Sequence, residues 1–184
     1  METIQFTSTQ VILQAKEFAQ EFHKKQFYPD GRPYFSHLES VAHLTKQATL
    51  HDSSLDDGIL LSVSYLHDTI EDTNASYHHI VAYFGDDIAE AVASLTKNKS
   101  LSKQEQIRDS LHRILRTRKE TQIVKLADRI SNLGQTLLLL DSKWTPEYKE
   151  YYREESILIN QQLGSSSALL SQKLSALISI YNRI

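Results

Sequence analysis

Residues 58–73 read GILLSVSYLHDTIEDT: a nine-residue, largely apolar run, then one histidine and three carboxylates within the next six positions. The run is flanked by Asp56 and Asp68, which predicts a helix over about 56–68. Solvation of a helix end accounts for a few charges there. It does not account for a histidine-aspartate pair where the chain leaves the core, followed one turn later by Glu71 and Asp72.

The same helical rhythm extends in both directions. Val11, Ile12, Ala15, Phe18, Ala19 and Phe22 recur at i, i+3/i+4 behind Thr7, and Gln10 completes a capping-box spacing. The turn YPDGRP (28–33) stops that helix, and Ser36 is expected to cap a second one running to about residue 49. Gly85 fits the end of a short helix and Asp86 the start of the next. Ser102 and Glu105 form another capping box. A long helix is predicted over about 119–140, and Thr145-Pro146 opens the one after it, a capping residue with proline in the first turn. The tail LLSQKLSALISIYNRI gives a last amphipathic helix over about 166–182, read as packed on the bundle rather than as a dimer seam. No segment alternates as a strand does. The expectation is an all-α, single-domain chain over 1–184, with about eight to ten helices.

Composition narrows the function classes. At 184 residues the chain is long enough for one sizeable core, and 5 glycines and 3 prolines leave its helices largely uninterrupted. A net charge of −3 and a pI near 6.2 give no general attraction for nucleic acid or anionic membrane. No apolar run approaches the roughly 20 residues that span a bilayer. METIQFTSTQ lacks the basic start and apolar stretch of a signal peptide, so a cytoplasmic protein, monomer or homodimer, is expected. Without cysteine there is no thiol nucleophile and no Cys-based zinc site.

A lone His-Asp dipeptide is weak evidence of a metal site, and the chain has two. His51-Asp52 sits in the polar stretch HDSSLDDG and reads as a solvated loop or cap. His67-Asp68 ends an apolar helix, where its side chains can line a cleft floor. His37 opens the helix that follows the YPDGRP turn. Asp128 lies among Leu126, Ala127, Ile130 and Leu133, where a carboxylate is costly unless paired or metal-bound, and Asn132 is one turn along the same face. Taken singly, His37 and Asp128 read as an ordinary cap and salt-bridge partner. Together with His67 and Asp68 they make a mixed nitrogen/oxygen set suited to Mn²⁺, Fe²⁺ or Zn²⁺ rather than Ca²⁺.

Four motifs carry a resemblance. GRPYFSHLESVA (31–42) is similar to GxPYxxHxxxVA, LHDTIEDT (66–73) to LHDxxEDT, VASLTK (92–97) to VxxLTK, and VKLADRISNL (124–133) to VKLADRxxNL. Their order and spacing over about residues 8–160 resemble the HD-domain hydrolases of the RelA/SpoT type, in their stand-alone, small alarmone hydrolase form. The chain is too short to carry the synthetase and regulatory domains of the long enzymes as well. The resemblance implies an HD-domain helical bundle that removes pyrophosphate from the ribose 3′ position of (p)ppGpp, returning GDP or GTP. It implies one Mn²⁺ on His37, His67, Asp68 and Asp128, catalytic carboxylates at Glu71 and Asp72, and a ribose contact from Asn132.

The substrate's pyrophosphate calls for local cations, expected from Lys97, Lys99, Lys125 and Arg129, with Lys103 as readily a solvated surface charge. Lys149, Tyr152 and Arg153 are candidates for the opposite wall, and Tyr148 stands where the family often has arginine. The chain departs from its family at the turn: the Arg-Lys pair implicated in holding purine and phosphates is Tyr28-Pro29 here. Tyrosine keeps a stacking face without the charge, so hydrolysis of (p)ppApp beside (p)ppGpp is expected, with Arg32 as a replacement cation. The competing readings are another HD-type phosphohydrolase, such as a nucleotidase or an NADPH 2′-phosphatase, and an inactive helical binding module.

Overall fold

The computed structural model describes residues 7–138 and 145–181. Its elements are α1 (Ser8–His23), α2 (Phe35–Thr49), α3 (Asp57–Leu66), α4 (Thr69–Asp72), α5 (Tyr77–Phe84), α6 (Asp86–Leu95), α7 (Lys103–Ile114), α8 (Lys119–Leu138) and α9 (Pro146–Leu163). A 3₁₀ turn (Gly164–Ser166) then leads into α10 (Ala168–Tyr181). The fold is all-α, as expected. The only extended pairing among the described residues is an isolated bridge between Phe27 and Pro33.

Local signals set most boundaries. Thr7 and Gln10, and Ser102 and Glu105, form the two expected capping boxes, and the Thr145 side chain caps α9 with Pro146 in its first turn. Gly85, at φ 81°, joins α5 to α6 in a conformation that glycine adopts without strain. Ser36 does not cap α2. The helix starts at Phe35, and the Ser36 hydroxyl instead donates to the Pro33 carbonyl at 2.8 Å, because the turn already delivers the chain in helical geometry at Tyr34. The expected extension of α8 to about 140 and of the last helix to about 182 falls partly outside the described residues.

The helix expected over about 56–68 stops at Leu66, and Thr69–Asp72 forms a separate single turn. This break positions the site. Asp68 sits at φ −98°, ψ −3°, so His67 and Asp68 leave the α3 axis and α4 carries Glu71 and Asp72 beside them.

α8 is the central element, packed against α2, α3, α6, α9 and α10. Its Ile123, Val124, Leu126, Ala127, Ile130 and Leu133 are buried in one continuous core with Leu38, Val41, Leu60, Val63 and Leu66. α10 buries Leu170, Leu174, Ile178 and Tyr181 against α8 and α9, as the reading of the tail predicted. No described helix is long and apolar enough to cross a membrane.

Between α1 and α2 the chain makes a tight hairpin-like loop. The Gly31 amide donates to the Tyr28 carbonyl at 2.9 Å and the Tyr28 amide to the Arg32 carbonyl at 2.8 Å, with Pro29 next in the turn and Gly31 at φ 84°. Pro29 therefore sits where its fixed φ is wanted. Gly31→Ala forces a side chain into the left-handed region at about 1–2 kcal/mol. A melt is expected to show Tm lowered by roughly 2–8 °C; an unchanged Tm would mean the turn relaxes freely.

Candidate active site

His37 enters from the first turn of α2, His67 and Asp68 from the break after α3, and Asp128 from the middle of α8. The two imidazole Nε2 atoms face one another at 3.2 Å. Asp68 Oδ2 lies 3.1 Å from His67 Nε2 and 3.5 Å from His37 Nε2; Asp128 Oδ1 lies 3.7 Å and 3.4 Å from the same atoms. His37, His67 and Asp128 each offer a ligand atom within 4.8 Å of the others, and all three are buried.

Outer contacts aim these groups. His67 Nδ1 donates to the Ser64 carbonyl at 2.8 Å; a carbonyl only accepts, so the neutral ring presents its Nε2 lone pair inward. His37 Nδ1 meets the Ser131 hydroxyl at 2.9 Å. Asp128 accepts from Lys125 Nζ at 2.9 Å and from Asn132 Nδ2 at 2.5 Å, and Tyr34 Oη donates to Asp68 Oδ2 at 2.5 Å.

Burial works against charge on every member of the cluster, yet the members hold one another charged. It disfavours both imidazolium forms, but Asp68 and Asp128 outweigh it, raising His37 and taking His67 to about 10. Burial likewise opposes ionisation of the carboxylates, while the imidazoles, and Lys125 for Asp128, hold both well below the usual range. Metal ligation requires both imidazoles deprotonated, so an ion would displace the protons that the carboxylates favour there and meet a charge of −2 from Asp68 and Asp128. Facing lone pairs, that charge and the nitrogen/oxygen donor set fit a single divalent cation.

Glu71 and Asp72 flank this cluster. Glu71 accepts the Lys97 amide at 2.9 Å and has Lys97 Nζ at 3.4 Å. Lys97 is delivered there because Arg113 on α7 binds the Ala93, Ser94 and Thr96 carbonyls at the end of α6, at 2.6, 2.9 and 2.8 Å. Burial, then the charges of Asp68 and Glu71, push Asp72 up to about 6.

Above the carboxylates opens a cavity of about 370 Å³. Tyr28, Lys97, Lys125, Asn132 and Tyr152, all expected substrate contacts, line it. Lys99, Arg129, Lys149 and Arg153 do not. Lys99 donates to the Glu71 carbonyl at 2.7 Å, and Arg153 pairs with its helix neighbour Glu150. Arg129 is buried, bound to Glu155 at 2.5 Å, with its guanidinium 4.1 Å from the Tyr152 ring centroid; it supports an aromatic wall rather than facing the cavity. Arg32 stacks on Tyr28 at 5.3 Å and pairs with Asp30 at 2.7 Å, also outside the lining. His51 is an exposed loop residue, and its neighbour Asp52 pairs with Lys119.

Sequence reasoning assigned no role to Tyr34, Ser131, Gln135 or Thr136. The signal for Gln135 and Thr136 was present: with Asp128 and Asn132 they continue one face of α8 at helical spacing.

The family model described as HD domain matches residues 15–164. The chain belongs to the HD-domain family. This HD domain is 30% identical over 173 residues to a guanosine-3′,5′-bis(diphosphate) 3′-pyrophosphohydrolase, MESH1, of Danio rerio, covering 93% of this chain and 94% of that one. It is 32% identical over 162 residues to MESH1 of Xenopus tropicalis, covering 86% and 88%. Among solved structures, one described as a metazoan ortholog of SpoT that hydrolyzes ppGpp superposes with a TM-score of 0.79 at 26% identity, covering 97% of each chain. A second, lmo0812 from Listeria monocytogenes EGD-e, gives 0.67 at 26% identity over 82% of this chain and 98% of that one.

Proposed function

We propose that this HD domain hydrolyses the 3′-pyrophosphate of alarmone nucleotides, converting (p)ppGpp to GDP or GTP and pyrophosphate with one divalent ion, Mn²⁺ in the first instance and Fe²⁺ or Zn²⁺ as alternatives. The observation that carries this reading is the buried His-Asp cluster on a cavity floor with two further carboxylates beside it, in a chain spanning nearly the whole length of relatives named for that reaction.

His37, His67, Asp68 and Asp128 would hold the ion. When bound, it supplies Lewis-acid chemistry, lowering the pKa of water and offsetting charge on phosphoryl oxygens. Glu71 and Asp72 orient the attacking water and accept its proton; Asp72, raised by its surroundings, is the better matched to proton transfer near neutral pH. The water oxygen bonds to phosphorus, the phosphorus–O3′ bond breaks, and a proton returns to the ribose oxygen. Lys97 and Lys125 supply positive charge at the cavity wall, Asn132 a donor for the ribose, and Tyr28 and Tyr152 flat faces for the base.

Base choice follows from the same wall. Tyr28 turns an uncharged ring to the cavity while the Arg32 cation is held behind it. Stacking on an aromatic ring, worth about 1–3 kcal/mol, tolerates either purine. Turnover of ppGpp, ppApp and NADPH by HPLC, with and without Mn²⁺, tests the reading. The expected result is Mn²⁺-dependent release of pyrophosphate from both alarmones, with kcat/KM values within roughly 100-fold, about 2.7 kcal/mol. A larger preference for ppGpp rejects the relaxed base choice; turnover of NADPH alone rejects the alarmone assignment.

A further inference from the structure

α4 is one helical turn, too short to hold its own shape, and its last carbonyls lack intrahelical partners. It nevertheless carries Glu71 and Asp72, so something outside it must fix those side chains. One support is Lys99 on the Glu71 carbonyl. A second, beyond the Lys97 contacts to Glu71, comes from the loop that carries Tyr28. Gln26 Nε2 donates to the Asp72 carbonyl at 2.6 Å, across 46 residues of sequence.

The opposite strand of that loop makes a matching contact. The Tyr34 amide donates to the Gln26 carbonyl at 2.9 Å, closing the base of the loop, and the Tyr34 hydroxyl reaches Asp68 at 2.5 Å. The two residues that close the loop therefore each hold one end of the segment from Asp68 to Asp72.

His23 fixes both. Its Nδ1 lies 2.6 Å from Gln26 Oε1, and its ring stacks on Tyr34 with centroids 5.3 Å apart. Because the Asp72 carbonyl only accepts, the Gln26 amide nitrogen must face it. Gln26 Oε1 then accepts from His23, which therefore carries its proton on Nδ1. His23 Nε2 is left buried without a partner among the described residues, consistent with a ring whose other nitrogen is committed to Gln26.

We propose that Gln26 and Tyr34 are positioning residues: Gln26 holds the turn bearing Glu71 and Asp72, and Tyr34 holds Asp68, so that the loop under the substrate and the metal centre form one rigid unit. This rests on the roles given to Asp68 and Asp72 above.

Gln26→Glu keeps the size and the acceptor facing His23 but replaces the donor to Asp72 with an acceptor. Tyr34→Phe keeps the ring stack and removes only the hydroxyl. Outer contacts of this kind are worth roughly 10–100-fold. With ppGpp and Mn²⁺, Gln26→Glu is expected to lower kcat by that factor with KM within about 3-fold and Tm near wild type. Tyr34→Phe is expected to weaken Mn²⁺ binding by roughly 10-fold or more, measured by calorimetry on nucleotide-free protein. Amide exchange over residues 70–73 should quicken in Gln26→Glu.

The calorimetry and exchange readouts need no substrate, so they still judge the clamp if wild type proves inactive on alarmones, an outcome that would sink the functional reading alone. Wild-type kcat and exchange in Gln26→Glu, or wild-type Mn²⁺ affinity in Tyr34→Phe, overturns the proposal. So does a fall in kcat that tracks a lowered Tm and a raised KM, which marks ordinary scaffolding.

Discussion

His67→Ala is expected to lose bound metal and turnover together. His67 is 3% exposed, with Nε2 3.1 Å from Asp68 and 3.2 Å from the facing nitrogen of His37, so its removal takes a donor from the centre of the cluster. Ion-based stabilisation of a phosphoryl transition state is worth several kcal/mol, about 10³-fold or more in rate. The substitution also leaves Asp68 and Asp128 with one imidazole fewer between them; breaking a buried ion pair costs about 3–5 kcal/mol. Metal content by atomic emission, circular dichroism and turnover should be read on the same preparation. A folded variant that has lost its metal and about 10³-fold in activity is the expected result. Full activity, or one ion still bound per chain, would remove His67 from the ligand set.

Glu71→Gln is the second large effect, and it should separate chemistry from metal binding. Glu71 is no proposed ligand, and Gln retains a carbonyl oxygen for the Lys97 amide that Glu71 accepts at 2.9 Å. The turn and the ion should survive. What is lost is the negative charge beside Asp72 and a proton acceptor for water, on the order of 10²–10⁴-fold in kcat. Stoichiometric metal with collapsed kcat is the expected pair of results. Near wild-type turnover would take Glu71 out of the chemistry and leave the proton to Asp72 alone, for which Asp72→Asn is the matching variant.

What is legible in the sequence depends on distance along the chain. Caps at Thr7, Ser102 and Thr145 were legible because the cap and its partner lie three residues apart. The convergence of His37, His67 and Asp128 was legible from motif order, since Asp128 interrupts an otherwise apolar helix face. The break that creates α4 was not: a single turn has no period to detect, and Asp68 reads equally well as the last residue of a longer helix. Arg129 looked like a phosphate-binding cation because its partner Glu155 lies 26 residues away, and nothing local announces the pair. The tie from Gln26 to Asp72 was hidden for the same reason.

The contact between His37 and Ser131 joins positions 94 residues apart, and it bears directly on how the chain folds. Helices with local contacts form early, whereas the cluster needs α2, the α3 break and α8 to have docked, and the entropy of closing that long loop must be met first. The cation site is therefore expected to form late on the folding route, after its three elements have docked. An ion that binds only the finished cluster leaves the refolding rate nearly unchanged and slows unfolding, so in a chevron plot with and without Mn²⁺ the displacement falls on the unfolding arm.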